Sequence, residues 1–184
     1  MGMNNNKSMK YFLALLMLLS FFSSCIDDDL PPDQVTGLRP IYLSEAELDK
    51  VRSQAPIPYG ELGKIVAYED YIYIGERYLG IHVVNNSDPS NPISEYFWAI
   101  PGNVDFTLKD GILYADNGRD LLTIDVSGPA DITVVSKVED IYDGEFKLNL
   151  FPADYSGFFE CVDSEQGIVV GWESSQLFQP KCRI

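Results

Sequence analysis

Residues 81–92 read IHVVNNSDPSNP, and residues 121–129, which follow 40 positions later, read LLTIDVSGP. Each stretch begins with a run of aliphatic and β-branched residues, which favours a β-strand. Each then becomes polar at an Asn or Asp that is followed by Ser and Pro, residues that hydrogen-bond their own backbone or fix φ in turns. The pair therefore predicts two copies of one β unit.

The residues around these two stretches extend the repeat. Short runs rich in β-branched and aromatic residues, separated by Gly, Asn, Asp and Pro, predict four strands in each copy. The predicted strands are 64–68, 71–75, 80–85 and 93–99 in the first copy, and 104–108, 112–115, 121–126 and 132–138 in the second. Four short strands in about 40 residues are typical of a propeller blade, and such sheets hide their apolar faces by stacking on each other.

We therefore expect an all-β fold of two to three four-stranded antiparallel blade-like repeats, an incomplete propeller, preceded by a signal peptide and one short helix. The repeats are placed at about 63–102 and 103–142 within a β-repeat domain over 44–184, with a divergent C-terminal unit at 143–184. In that unit we expect a hairpin of 158–162 with 168–172. Propellers use about 4–8 blades, so a ring does not close here. A truncated member of a longer family, a half-propeller that dimerises and an open stack all stay open.

The helix is expected over 44–51, ahead of the first repeat. Ser44 is suited to cap it, and Glu47, three residues later, completes a capping box.

The N-terminus has the order of a lipoprotein signal peptide over residues 1–24. Lys7 and Lys10 precede the apolar run 11–22, which is shorter than the roughly 20 residues that span a bilayer. Small residues then lead directly to Cys25, an arrangement that resembles a lipobox. The resemblance implies cleavage before Cys25 and attachment of palmitate-type acyl chains to it, which would hold the protein on a membrane.

Residues 25–43 are expected to be a linker from this anchor, because they are rich in Pro and Asp. Asp27, Asp28 and Asp29 resemble the acidic export signal of surface lipoproteins in the Bacteroidetes, which implies an outer-membrane protein exposed on the cell surface. Loss of the two lysines of the signal peptide takes the formal charge from −15 to −17. Such an acidic chain repels nucleic acid, so nucleic-acid binding is excluded.

The cysteines other than Cys25 are Cys161 and Cys182, an even pair in a chain expected to reach an oxidising compartment. A disulfide between them is the favoured interpretation, and two free thiols or a partner elsewhere are the alternatives.

The stretch 81–92 resembles the LVIVD repeat, which occurs in exported bacterial proteins of β-propeller-like type. In that repeat a core strand ends in a hydrophobic-Asp/Asn step followed by Ser-Asp-Pro, as it does here at 84–89. The second copy keeps Ile124-Asp125-Val126-Ser127 and Pro129 but has Gly128 in place of Asp. The resemblance implies an LVIVD-repeat surface lipoprotein and covers roughly residues 63–142.

No catalytic, metal or cofactor site is predicted. His82 is the single histidine and lies in a strand, so it lacks a partner for zinc or for a nucleophilic pair. Residues 116–120 (DNGRD) are interpreted as a turn, with a calcium loop as the alternative. Tyr96, Phe97 and Trp98 are the candidate ligand-facing aromatics, because consecutive strand residues face opposite sides of a sheet.

The expected function is that of a membrane-anchored, non-enzymatic binding or structural module with a protein or glycan partner. The alternatives are a glycan-acting hydrolase and a fragment of a longer propeller protein.

Overall fold

The structure is a computed structural model that describes residues 32–141 and 151–184. The predicted signal peptide, Cys25 and the acidic run 27–29 lie outside the described residues. Within them, the elements in chain order are β1 (Gln34–Leu43), α1 (Glu45–Leu48), β2 (Arg52–Gln54), β3 (Leu62–Tyr68), β4 (Tyr71–Glu76), β5 (Gly80–Asn85), β6 (Ile93–Ala99), β7 (Phe106–Lys109), β8 (Ile112–Asn117), β9 (Asp120–Asp125), β10 (Thr133–Val138), β11 (Phe158–Phe159), β12 (Ile168–Phe178) and β13 (Cys182–Arg183).

The strands form three sheets, so the all-β prediction is confirmed. Sheet I has the order β2-β6-β5-β4-β3 and contains the first repeat, and sheet II has the order β10-β9-β8-β7 and contains the second. Sheet III has the order β12-β1-β11-β13. The repeat strands of sheets I and II pair antiparallel with their sequence neighbours, which is the blade-like arrangement that the sequence predicted.

The two repeats share details of backbone geometry. The side-chain oxygens of Asn85 and Asp125 accept hydrogen bonds from the backbone N–H two residues on, at 3.0 and 2.9 Å. Each last strand pairs with its neighbour through a register shift, which leaves Glu95 in β6 and Val135 in β10 as the extra residue. Because an inserted residue increases the local twist, the same bulge gives both sheets the same bend. These equivalences, 40 residues apart, establish the repeat in three dimensions.

The core lies between sheets I and II. Ile81, Val83 and Trp98 project from sheet I, and Leu113 and Ile124 project from sheet II, with every one of these side chains fully buried. Trp98 is the largest of them, and its Nε1–H donates to the backbone oxygen of the Pro129 residue at 2.8 Å. Stacking therefore buries one face of each repeat, as expected for sheets that cannot cover themselves.

The opposite face of sheet I is covered by the chain itself. The crossing segment, residues 55–61, runs from β2 on one edge of sheet I to β3 on the other edge. The ring of Tyr59 in this segment lies 4.4 Å from the ring of His82, and the Gly60 N–H donates to the Glu76 carboxylate at 2.8 Å. The segment thus shields a face that a further blade would cover in a closed propeller.

The outer face of sheet II is exposed at Tyr114 and Val138 and is more polar than the equivalent face of sheet I. Val83 and Tyr96 of sheet I correspond in register to Thr123 and Ser136, and Trp98 corresponds to Val138. Val138 is 51% exposed, whereas Trp98 is fully buried. The polar residues on this face reduce its need for cover by another sheet.

Sheet III corrects two expectations. Residues 34–43 were predicted to be linker but form β1, which pairs with β12 along its whole length, from Gln34↔Phe178 to Leu43↔Ile168. The predicted hairpin of 158–162 with 168–172 is wrong, because β1 lies between β11 and β12 and pairs with both. A ten-residue ladder with β1 satisfies far more backbone groups than a short hairpin does.

Sheet III packs against the turns at one end of the two repeats. Val170 lies next to the glycines of the turn regions at 102 and 118, and Gly171 lies against the Tyr78 ring. A Cβ on Gly171 would overlap that ring, so the close approach requires glycine. The C-terminal unit is therefore not a third stacked blade but a sheet that covers one end of the other two.

The helix is shorter than predicted and occupies one turn. The capping box is confirmed, since the Ser44 N–H donates to the Glu47 carboxylate at 2.8 Å. Hydrogen bonds from the Ser44 backbone and side chain lower the pKa of Glu47. Leu48 ends the helix and is fully buried. No helix in the described part of the chain is long and apolar enough to cross a membrane.

Candidate functional site

A cleft of about 470 Å³ lies between the two repeats. On the sheet I side it is lined by aromatic residues and one carboxylate, and on the sheet II side by aliphatic and small residues and a second carboxylate. The lining residues are Tyr68, Glu69, Tyr71, Tyr73, Leu108, Asp110, Gly111, Val126, Ser127 and Pro129. We refer to this site as the inter-repeat cleft.

Two equivalent turns build the mouth of the cleft. Glu69 lies in the turn between β3 and β4, and Asp110 lies in the turn between β7 and β8; both have φ of 52°. The turns are tied to the strands that follow in the same way, because the Asn86 N–H donates to the Asp70 carbonyl at 2.7 Å and the Val126 N–H to the Gly111 carbonyl at 3.0 Å. The repeat itself therefore places two carboxylates on the same cleft.

Burial controls the tyrosine hydroxyls of the cleft. Tyr73 is only 5% exposed, and burial, with smaller effects from Tyr71, Glu69 and Tyr68, raises its pKa to about 12. Burial also raises the pKa of Tyr71, and a hydrogen bond to Glu95 adds to that effect. Both rings therefore stay neutral at physiological pH, and their centroids lie 6.2 Å apart at an interplanar angle of 41°.

The repeats that frame this cleft have a known counterpart. Residues 59–95 and 112–140 match the LVIVD repeat. The first match runs from the crossing segment through β3, β4 and β5 into the start of β6, and the second runs from β8 through β10. The turn carrying Glu69 lies inside the first LVIVD repeat, whereas the turn carrying Asp110 lies just before the second match. No curated protein and no solved structure matches the chain.

The three aromatic residues singled out by the sequence do not line the inter-repeat cleft. Trp98 is in the core, and Phe97, only 2% exposed, faces the opposite side of sheet I, where its ring lies 4.9 Å from that of His82. Tyr96 is half-buried and packs against the core. Phe97 and Trp98 are thus closed to a ligand, which corrects the expectation. Consecutive residues of β6 do alternate between the two faces of sheet I, but both faces are covered, so neither face presents a side chain to a ligand.

His82 is more deeply buried than a polar residue on the face of a sheet would be. It is fully buried, and its Nε2 lies 3.1 Å from the carboxylate of Glu76. Burial opposes ionisation of Glu76, but hydrogen bonds from the Gly60 backbone, His82 and the Glu61 backbone outweigh it and lower the pKa of Glu76. The pair ties the crossing segment to sheet I, and the Tyr59 ring covers it from outside. This arrangement is structural.

The polar stretch 116–120 forms a hairpin connection between β8 and β9. Asp116 accepts from Asn103 Nδ2 and from two backbone N–H groups, and burial raises its pKa. Asn117 donates to the carbonyl of Pro101 at 2.6 Å, and Asp120 pairs with Lys137 at 2.8 Å. The three oxygen-bearing side chains thus have separate protein partners. Across residues 32–141 and 151–184, no group of three His, Cys, Asp or Glu side chains could hold a metal ion.

A second cavity of about 470 Å³ lies where sheet III meets the β8–β9 turn. Arg119 is a charged residue in its wall, and it is engaged by Glu45 at 2.6 Å and by Asp140 at 2.7 Å. The positive charge of Arg119 in this cavity is therefore already balanced by two carboxylates.

The structure joins Cys161 to Cys182 in a disulfide whose Cα atoms are 5.3 Å apart. Phe159 of β11 pairs directly with Cys182 of β13, so the bond closes the outer edge of sheet III.

The residues that line the inter-repeat cleft were not singled out from the sequence. Their signal was the match of Asp70 with Asp110 at an offset of 40, which located the two equivalent turns but was one residue out of register. In the structure Glu69 corresponds to Asp110, and Asp70 corresponds to Gly111. That offset shows that the turns correspond but not that stacking brings them to one cleft, which depends on how the sheets pack.

Proposed function

We propose that this chain is an exported lipoprotein of the Bacteroidetes outer-membrane type, acylated at Cys25, whose LVIVD repeats form a binding module rather than an enzyme. The order of Lys7 and Lys10, the apolar run 11–22 and two small residues before Cys25 supports the anchor. Asp27–Asp29 supports export to the cell surface. The partner is a protein or a glycan.

The observation that carries the binding role is the inter-repeat cleft. Its two carboxylates, Glu69 and Asp110, form no side-chain hydrogen bond or ion pair with any residue that the structure describes. Glu76, Asp116 and Asp120, by contrast, each hold backbone or charged partners. His82 is sealed in sheet I and is not accessible as a catalytic base. Concave sites that combine aromatic walls with a few polar groups are the usual form of a ligand site.

A glycan-acting hydrolase is the second candidate, because Glu69 and Asp110 line the same cleft. Glycosidases act through two carboxyl groups that flank the scissile bond. This candidate requires turnover that Glu69→Gln and Asp110→Asn each abolish.

Metabolic labelling with an alkyne analogue of palmitate tests the anchor. The full chain is expected to incorporate label, and Cys25→Ser is expected to lose it and to accumulate as the longer precursor. A Cys161→Ser/Cys182→Ser protein is the matched control, since it removes two cysteines and should still be labelled. Label that persists in Cys25→Ser would contradict the proposal.

Protease treatment of intact cells tests surface exposure, and replacing Asp27–Asp29 with alanine should protect the protein from cleavage. Partner binding is tested by affinity capture of the anchored chain from intact cells. Failure to retain any partner, together with turnover of a glycan panel, would favour the hydrolase instead.

A further inference from the structure

We propose that the inter-repeat cleft binds an alkylammonium cation, the group carried by a lysine side chain, a polyamine or a choline headgroup. This inference rests on the proposed binding function and names the chemical class of its ligand. It follows from three properties of the cleft: the charge of its rim, the arrangement of its rings, and its size.

The rim of the cleft is negative. Glu69 and Asp110 are exposed and belong to the lining, and the described residues that line the cleft include no Lys, Arg or His. The whole chain carries a formal charge of −15. A cleft lined by one sign of charge raises the local concentration of ions of the opposite sign, so anions are repelled and cations are drawn in.

The walls of the cleft are aromatic. Tyr68 and Tyr71 are half-buried, and Tyr73 lies deeper, at 5% exposure. Tyr73 packs on the buried Trp98, so the half-buried rings of Tyr68 and Tyr71 are the ones that a ligand can reach. A cation within about 6 Å of a ring centroid is attracted by the negative face of the ring.

The Tyr73 hydroxyl gives an independent indication of a ligand. Tyr73 is 5% exposed and lines the cleft, and no hydrogen bond joins its hydroxyl to any residue that the structure describes. The hydroxyl oxygen is not sealed from solvent, so it is accessible from the cleft. Tyrosine hydroxyls in such positions usually have a partner. Because Tyr73 keeps its proton, its oxygen has lone pairs for the N–H of a primary ammonium group and a proton for a second acceptor. A quaternary ammonium has no N–H and would be held by the rings and carboxylates alone.

The volume of the cleft suits a small cation together with part of the chain that carries it. About 470 Å³ lies within the range of roughly 300–1,000 Å³ that is typical of small-molecule sites. A neutral sugar would gain nothing from the carboxylates of the rim, whereas a cation is attracted by them and by the rings. The charge of the cleft therefore favours a cation over a neutral sugar.

Calorimetric titration of the full chain in non-ionic detergent tests this inference. The probes are choline chloride and a linear alkyl diamine, compared with potassium chloride at matched ionic strength and with the neutral carbon isostere of choline. Saturable binding of either cation, with none of the isostere, is expected. Binding of choline alone identifies a quaternary headgroup, and binding of the diamine alone identifies a primary amine.

Four variants localise the site. Tyr71→Leu and Asp110→Asn are each expected to weaken binding about fivefold or more, the effect of losing roughly 1 kcal/mol. The matched controls are Tyr114→Leu, on the outer face of sheet II, and Asp154→Asn, an exposed residue whose φ of 54° resembles that of Asp110. Both controls should bind like the wild type, and far-ultraviolet circular dichroism establishes that every variant is folded.

Heats no larger than those of potassium chloride, equal binding of the neutral isostere, or folded Tyr71→Leu and Asp110→Asn proteins with unchanged affinity would each overturn the inference. A chain that binds no cation but is still lipid-anchored and retains a partner on cells would refute the cation site and leave the proposed function standing.

Discussion

Truncation of Trp98 is the most direct test of the idea that the two repeats stabilise each other. Trp98 is fully buried between sheets I and II, its ring lies 5.2 Å from that of Tyr73, and its Nε1–H donates to the Pro129 carbonyl. Replacing a buried Trp with Ala costs about 3–5 kcal/mol, because apolar contacts are lost and a cavity remains. Since domains are stable by about 5–15 kcal/mol, the variant should still fold.

Trp98→Phe should cost less, about 1–2 kcal/mol, because most of the ring volume stays. The hydroxyl of Ser53 also donates to the Pro129 carbonyl, at 3.0 Å, so the substitution does not leave that oxygen without a partner. Urea unfolding followed by far-ultraviolet circular dichroism measures both changes. At roughly 2–4 °C per kcal/mol, the melting temperature of Trp98→Ala should fall by about 6–20 °C.

Trp172→Phe is the matched control. Trp172 is half-buried in sheet III and meets Phe159 edge-on at 5.6 Å, away from the inter-repeat core. Its loss should cost less than that of Trp98. A Trp98→Ala protein within about 1 kcal/mol of the wild type would refute the idea that the two repeats stabilise each other through this core.

Four further predictions concern two carboxylates, the disulfide and sheet III. Glu76→Gln should lower the free energy of unfolding by roughly 1–3 kcal/mol at neutral pH. Because folding lowers the pKa of Glu76, its carboxylate stabilises the fold above the usual pKa of 4.5. The deficit of the variant should therefore vanish as the pH falls through the lower pKa of the folded state. Asp116→Asn should leave stability unchanged or raise it at neutral pH, because the raised pKa of Asp116 means that the fold disfavours its charge. Any gain in stability should disappear in acid. Urea unfolding of the Glu76 and Asp116 variants across pH checks that their effects on stability have opposite signs. Cys161→Ala/Cys182→Ala should lose about 3 kcal/mol in the same assay, since the bond closes a loop with a sequence separation of 21, and an unchanged midpoint would contradict this. Gly171→Ala should destabilise the protein by about 1–3 kcal/mol through overlap with an aromatic ring, and hydrogen exchange should rise first in sheet III; uniform or unchanged exchange would argue against that docking.

Local sequence was sufficient for the strands of the repeats. The predicted limits 80–85 and 93–99 are those of β5 and β6, because runs of β-branched residues bounded by Asn, Asp, Ser and Pro leave few alternative conformations. The same information failed for β1. Pro32 and Pro40 made that region resemble a linker, yet the strand exists because its partner β12 lies 125 to 144 residues away in register.

The candidate site was only partly accessible from sequence. The sequence showed the many tyrosines and the matching turns. Residues 96–98 were nevertheless predicted to face a ligand, and the structure shows that they are largely covered. Alternation assigns residues to two sides of a strand but does not say whether a side is open. The crossing segment and sheet II together cover both sides of sheet I, and this could be read only from the packed molecule.

Residues close together along the chain were enough to predict the repeat, its strands and its turns, and the lipid-anchor signal stays a prediction of the same kind. Tertiary structure alone decided that His82 is sealed beneath Tyr59, that the termini of the described domain share sheet III, and that Glu69 and Asp110 meet at one cleft. The physical reason is that burial and proximity depend on which sheet faces are brought together, and that choice is made by the packing of distant segments.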